Sequence, residues 1–186
     1  MRSLVIIVIL ALSVVIGFVY QTLTDRADLR RYPRPDQLQS IVTHYSGEYG
    51  VPEYVIYAVI KTESGFDSGA ESDVGARGLM QIMPATFDWL VSITQDGYEA
   101  GMMFDPDTNI RYGTYYLSYL YLKYSDWNTV YAAYNAGPDK VDEWLRDPSM
   151  TDENGKLKKI PFDETDTYVE KVADAQSAYR RLYYDN

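Results

Sequence analysis

Apolar positions recur along most of this chain at three- and four-residue spacing, the period of helices with one face turned inward. Leu38, Ile41, Val42 and Tyr45 form one such set, and Val55, Ile56, Val59 and Ile60 form the next. Gly50-Val51-Pro52 separates them, with Pro52 suited to a first helical turn. Residues 64–78 mix four glycines with short polar side chains and read as loop. Helical character returns at Pro84–Leu90. A further helix starts at Asp105-Pro106-Asp107, where Asp caps and Pro fits the first turn, and runs through Ile110, Tyr112, Tyr116, Tyr119 and Leu120. Trp127–Ala136 follows, stopped by Gly137-Pro138. Residues 147–162 read as a long exposed loop with a turn at Glu153-Asn154-Gly155. The last amphipathic helix, Asp163–Tyr183, sets Tyr168, Val172, Ala175 and Tyr179 on one face. No long alternating strand pattern competes, so the fold class is mainly α.

The first twenty residues follow a different pattern. From Ser3 to Tyr20 no residue is charged, and Val, Ile and Leu dominate. As a helix this stretch spans roughly 27 Å, close to the thickness of a bilayer core. No small-x-small cleavage site is evident near Gly17–Gln21, so the reading is an uncleaved transmembrane anchor rather than a removed signal. Arg2 on the short N-terminal side leaves the N-terminus in the cytoplasm and the rest outside. The expected organisation is therefore a signal-anchor over 1–20, a polar, proline-ended tether over 21–35, and one folded domain over 36–186, held at the cell membrane on its extracytoplasmic side.

Composition adds exclusions. A net charge of −10 argues against nucleic acid as a partner. The absence of cysteine removes disulfides, thiolate metal sites and a cysteine nucleophile. His44 is the single histidine and reads as a surface or helix-packing residue, so no histidine-rich metal site can form. There is no G-x-S-x-G elbow and no phosphate-binding glycine loop. No cofactor is called for. Nineteen tyrosines furnish side chains with an apolar ring and a polar tip, suited to a core, its rim or a sugar groove.

Among the carboxylates Glu63 stands apart. It lies three residues after Ile60 and four after Val59, so a continuing helix turns it toward the buried face, and it sits where that helix meets the glycine-rich loop. A half-buried carboxyl resists ionising, which suits a general acid near neutral pH.

The stretch from Glu63 reads E-S-G-F-D-S-G-A-E-S-D-V-G-A-R-G-L-M-Q-I-M-P-A-T, followed later by Ala133-Tyr134-Asn135-Ala136-Gly137 and by Glu164-Thr165-Asp166-Thr167-Tyr168-Val169. Together they resemble the signature, A-Y-N-A-G and E-T-x-x-Y-V motifs of the soluble lytic transglycosylase family, over roughly residues 38–180. The resemblance implies a goose-lysozyme-like helical domain that acts on peptidoglycan glycan strands. It further implies that Glu63 is the acid/base and that Ser72, Gln81 and Met83 line the sugar groove. Tyr134 would hydrogen-bond the catalytic carboxyl, and Asn135, Glu164 and Tyr168 would complete the pocket. Gly75 and Gly78 suit a loop whose backbone approaches a ligand.

Such enzymes, on the same resemblance, need one carboxylate. Glu63 would protonate the bond between N-acetylmuramic acid and N-acetylglucosamine, and the muramic C6 hydroxyl would close a 1,6-anhydro ring. Two rivals stay open. A goose-type lysozyme would need a water and a second acid, for which Asp67, Glu71, Asp73 and Asp88 are at hand. A non-catalytic wall-binding scaffold would keep the groove alone.

Overall fold

A computed structural model describes residues 2–95 and 97–185, and the side chains of all of these except 2–9, 11, 20–25 and 100. Among the described residues the elements are α1 (Arg2–Arg31), α2 (Asp36–Tyr49), α3 (Glu53–Glu63), α4 (Pro84–Thr94), a short 3-10 helix (Ala100–Phe104), α5 (Pro106–Tyr124), α6 (Trp127–Ala136), α7 (Pro138–Leu145) and α8 (Asp163–Tyr183). Among the described residues β structure is limited to isolated bridges.

α3 is the centre of the fold. Val55 to Ile60 have no exposed surface on any side, because α2 packs on one flank and α8 on the other. α8 also packs on α6, and α5 on both α2 and α6, which closes the core around α3. The helix starts follow the local chemistry. Asp105 Oδ2 accepts the amide of Thr108 at 2.9 Å, and Asp126 Oδ2 accepts that of Thr129 at 3.0 Å, capping α5 and α6. Gly137-Pro138 does more than stop α6. Pro138 also opens α7, since a first turn has no use for the amide that proline lacks.

The N-terminal region differs from the tether read in the sequence. α1 continues to Arg31, and the four residues after it are strapped to the domain. Tyr183 donates its hydroxyl to the carbonyl of Tyr32 and Tyr179 to that of Pro33, both at 2.9 Å. Arg34 pairs with Glu53 at 3.2 Å and lies over the rings of Tyr57, Tyr183 and Tyr184. Mixed charge on this segment reflects a solvated helix face and an ion-paired strap, not a free chain. Of the expected span 3–20, all of it within α1, the side chains at Leu10 and at 12–19 are described, and those of 3–9, 11 and 20 lie outside the described side chains. Among the described residues no helix is long and apolar enough to cross a membrane.

Residues 64–83, between α3 and α4, fold back on themselves through bridges pairing Arg77 with Glu71 and with Ile82. What fixes this loop is Asn109, a wholly buried residue of α5. Its Oδ1 accepts the amide of Met80 at 2.7 Å, and its Nδ2 donates to the carbonyls of Arg77 at 3.0 Å and Met103 at 2.7 Å. Gly78 passes so close to this knot that a Cβ there would stand 2.4 Å from both Asn109 Nδ2 and Met103 O. Its freedom therefore serves packing within the protein. Residues 147–162 form the expected exposed loop, with Asp152 Oδ1 accepting the amides of Asn154 and Lys156 and one bridge between Thr151 and Leu157.

Gly78→Ala tests this account. At a φ of +76° and against a backbone carbonyl, the methyl can neither relax its own backbone nor push its neighbour aside. The variant is expected to lose roughly 2–4 kcal/mol, read as a lowered denaturation midpoint. An unchanged midpoint would mean that the loop is not pinned to α5.

Candidate active site

Glu63 is the last residue of α3, and its carboxyl leaves the core half-buried. Tyr168, in the second turn of α8, donates its hydroxyl to Glu63 Oε1 at 2.7 Å. Burial pushes the Glu63 carboxyl up to about 7, while the bond from Tyr168, which favours the charged form, pulls against it. Near neutral pH both the acid and the base form are therefore available. Burial also holds the Tyr168 hydroxyl well above its ordinary range, so it remains a proton donor in this bond.

Asn135, Glu164 and Tyr168 share a cleft of about 510 Å³ with Glu63, walled also by Thr62, Asp163, Thr167 and Lys171. Asn135 Oδ1 accepts from Thr165 Oγ1 at 2.8 Å, which ties α6 to the first turn of α8. Gln81, Met83 and Tyr134 gather instead in a small pocket of about 30 Å³ with Ile82, Thr86 and Tyr116. Tyr134 and Asn135 are consecutive on α6, so that helix joins the two hollows. Gln81 Nε2 donates to the carbonyls of Ala70 and Gly78, which leaves its Oε1 to accept from a ligand. Ser72 lines neither hollow; its hydroxyl accepts the amide of Ala76 and shapes the loop.

One expectation is corrected. Tyr134 does not bond the carboxyl of Glu63, because its single hydroxyl proton is committed to the carbonyl of Met80 at 2.8 Å. Tyr168 makes that bond in its place. The motif spacing cannot reveal which of two tyrosines points at Glu63, since the choice is made by how α6 and α8 pack. Thr167 and Lys171 were missed, although they follow Glu164 at three- and seven-residue spacing along the same face of α8. Asn109 was also missed, because in sequence it is an ordinary polar residue inside a helix.

The four acids named as partners for a hydrolytic mechanism are placed elsewhere. Glu71 pairs with Arg77 at 3.0 Å, Asp67 Oδ1 accepts the amide of Gly69, and Asp73 and Asp88 are exposed. None of them lines the cleft that holds Glu63.

Comparison with known proteins is consistent with this geometry. Residues 40–156 match the family model described as Transglycosylase SLT domain. The soluble lytic murein transglycosylase of Escherichia coli K12 is 37% identical over 154 residues, covering 80% of this chain and 24% of that protein. The membrane-bound lytic murein transglycosylase C of Edwardsiella ictaluri is 30% identical over 199 residues, covering 92% of this chain and 53% of that one. Among solved structures, the 70 kDa soluble lytic transglycosylase of Escherichia coli superposes with a TM-score of 0.77 at 34% identity, over 85% of this chain and 26% of that chain. An inactive glutamate-to-glutamine mutant of the lytic transglycosylase Slt from Pseudomonas aeruginosa gives 0.71 at 32% identity, over 81% and 24%. The helical domain thus has the lysozyme-like fold of these enzymes, and the chain spans about a quarter of the length of the soluble relatives it matches.

The raised carboxyl carries a stability signature. Between its ordinary value of 4.5 and its folded value of about 7, the folded protein binds a proton that the unfolded chain releases. Wild-type stability should therefore fall as pH rises through that window. Glu63→Gln, which cannot ionise, is expected to match wild type near pH 4 and to exceed it by up to about 3 kcal/mol at pH 8. Denaturation midpoints of both proteins across this range check it, and a constant difference would mean that the carboxyl is not desolvated.

Proposed function

The chain belongs to the transglycosylase SLT family, and from that membership we propose that it cleaves peptidoglycan glycan strands without water, leaving a 1,6-anhydro-muramic acid end. One observation carries the proposal: a single carboxyl held by burial at about 7, bonded by Tyr168 and open to a cleft. In its acid form Glu63 gives its proton to the glycosidic oxygen between N-acetylmuramic acid and N-acetylglucosamine. As a carboxylate it then takes the proton of the muramic C6 hydroxyl, whose oxygen attacks C1. The nucleophile is part of the substrate, so proximity replaces the second carboxylate that ordinary glycosidases place near the bond. Asp67, Glu71, Asp73 and Asp88 lie outside the cleft, and of the carboxylates that line it, those of Glu63, Asp163 and Glu164, the Glu63 carboxyl is the one that burial raises. Tyr168 keeps the carboxyl oriented, and its bond stabilises the carboxylate stage.

Around this centre Asn135 and Glu164 contact the sugar on the α8 side, while Gln81, Met83 and Tyr134 do so from the smaller pocket. Ser72 shapes the loop edge. The domain works from the membrane on the extracytoplasmic side, anchored through residues 3–20. Leu10, Leu12, Val14, Val15, Ile16, Phe18 and Val19 of α1 are all exposed, an apolar surface that lipid would cover. A membrane-bound relative is consistent with that placement.

Product chemistry tests the central claim. Muropeptides digested by the full chain should carry ends one water lighter than hydrolysed ends and should resist borohydride, both read by mass spectrometry. Reducible, hydrated ends would assign a lysozyme. Glu63→Gln should lower the rate by roughly 10²- to 10⁴-fold while folding normally, and near wild-type turnover in this variant would remove Glu63 from the mechanism. Tyr168→Phe removes a bond that favours the carboxylate, so the Glu63 titration should move above about 7. A pH–rate profile follows it, and an unmoved profile would deny Tyr168 its role. For the anchor, the intact mass of the membrane-extracted protein should include residues 1–20.

A further inference from the structure

Trp89 lies outside both hollows and is 37% exposed. It is not isolated. On α4, Thr86 and Trp89 are three residues apart on one face, and Met83 immediately precedes the helix, so Trp89 lies one turn beyond the pocket that Met83 and Thr86 line. On α5, Tyr116 and Tyr119 are likewise three residues apart. The rings meet between the two helices. Tyr134 and Tyr116 stand 5.3 Å apart at their centroids, Tyr116 and Trp89 6.2 Å, and Trp89 and Tyr119 5.0 Å, the last two pairs edge to face. Tyr116 is buried, whereas Tyr119 is 39% and Met83 40% exposed. A continuous aromatic strip thus starts at the pocket beside the Glu63 cleft and opens to water at its far end.

The chemistry of the strip selects its occupant. A pyranose ring presents C–H bonds on its face and hydroxyls at its rim, which suits a flat ring with a polar edge such as Trp or Tyr. An unbranched glycan offers such faces one after another. The strip carries no charge for an ionic partner to recognise, and it is continuous with the pocket already assigned to the sugar. We propose that Trp89 and Tyr119 form a platform between α4 and α5 that binds the glycan strand beyond the sugars at the reacting bond, so that this chain prefers long strands to short fragments. The proposal rests on the reading of the substrate given above, and the experiment separates the two.

The full chain and its Trp89→Ala, Trp89→Phe and Tyr119→Ala variants are assayed on purified long glycan strands and on a tetrasaccharide muropeptide. Trp89→Ala should raise KM on strands about five- to tenfold, leave kcat within twofold, and leave kcat/KM on the tetrasaccharide within twofold. Tyr119→Ala should act in the same direction, and Trp89→Phe should recover most of the affinity because it keeps a ring. An equal loss on both substrates, or no loss on strands, would overturn the platform. Co-sedimentation with long strands reads binding without cleavage, and there Trp89→Ala should retain several-fold less protein than wild type. If wild type binds strands but cuts neither substrate, the proposed reaction fails and the platform stands; if both proteins bind strands equally, the platform fails whatever the reaction.

Discussion

A carboxyl at the end of a helix sealed on every flank cannot be hydrated as a free one would be. That constraint at Glu63 organises the domain. Val55 to Ile60 give α3 no wet side, and Glu63, where the helix ends, is half-buried at the edge of the cleft. The sealing comes from α2, the preceding helix, and from α8, far away in sequence, whose Tyr168 reaches Glu63 across 105 positions of the chain. Removing any of these walls would hydrate the carboxyl and return it toward ordinary acidity. The same desolvation that makes the group useful works against the folded state at neutral pH, so here function and stability pull in opposite directions.

The tyrosines show how one residue type serves several ends. Tyr57, Tyr112, Tyr131 and Tyr179 are fully buried, and burial raises the hydroxyls of Tyr57, Tyr131 and Tyr179 above their ordinary range. Tyr179 and Tyr183 use their hydroxyls to hold the strap after α1, and Tyr134 and Tyr168 use theirs at the loop and the carboxyl. In these last four a ring that packs and a tip that bonds close a polar gap without opening the core. Composition alone could show their abundance but not this division of labour.

Local chemistry made much of the fold legible. Pro52, Pro84 and Pro106 sit at the starts of α3, α4 and α5, and Asp105 caps α5 as its spacing from Pro106 suggests. The position of Glu63 was legible too, because its spacing from Val59 and Ile60 fixes the face it shares. What could not be read depends on packing. α7 was hidden because Gly137-Pro138 satisfies the description of an ending as well as of a beginning. The strap was hidden because its partners, Glu53, Tyr57, Tyr179 and Tyr183, come from other helices. The exchange of Tyr134 for Tyr168 at the carboxyl is of the same kind.

Asn109 gives the active-site loop a template located outside the loop. Its oxygen and both hydrogens of its amide are in use, one acceptor and two donors, so even aspartate would set a carboxylate against two carbonyls. The backbone path of residues 77–80 is therefore inherited from α5. Exposed neighbours such as Asp73 and Val74 hang from that frame without defining it. Substitutions at the loop's outer edge can thus change the surface it presents while the inner edge, held from another helix, keeps its shape.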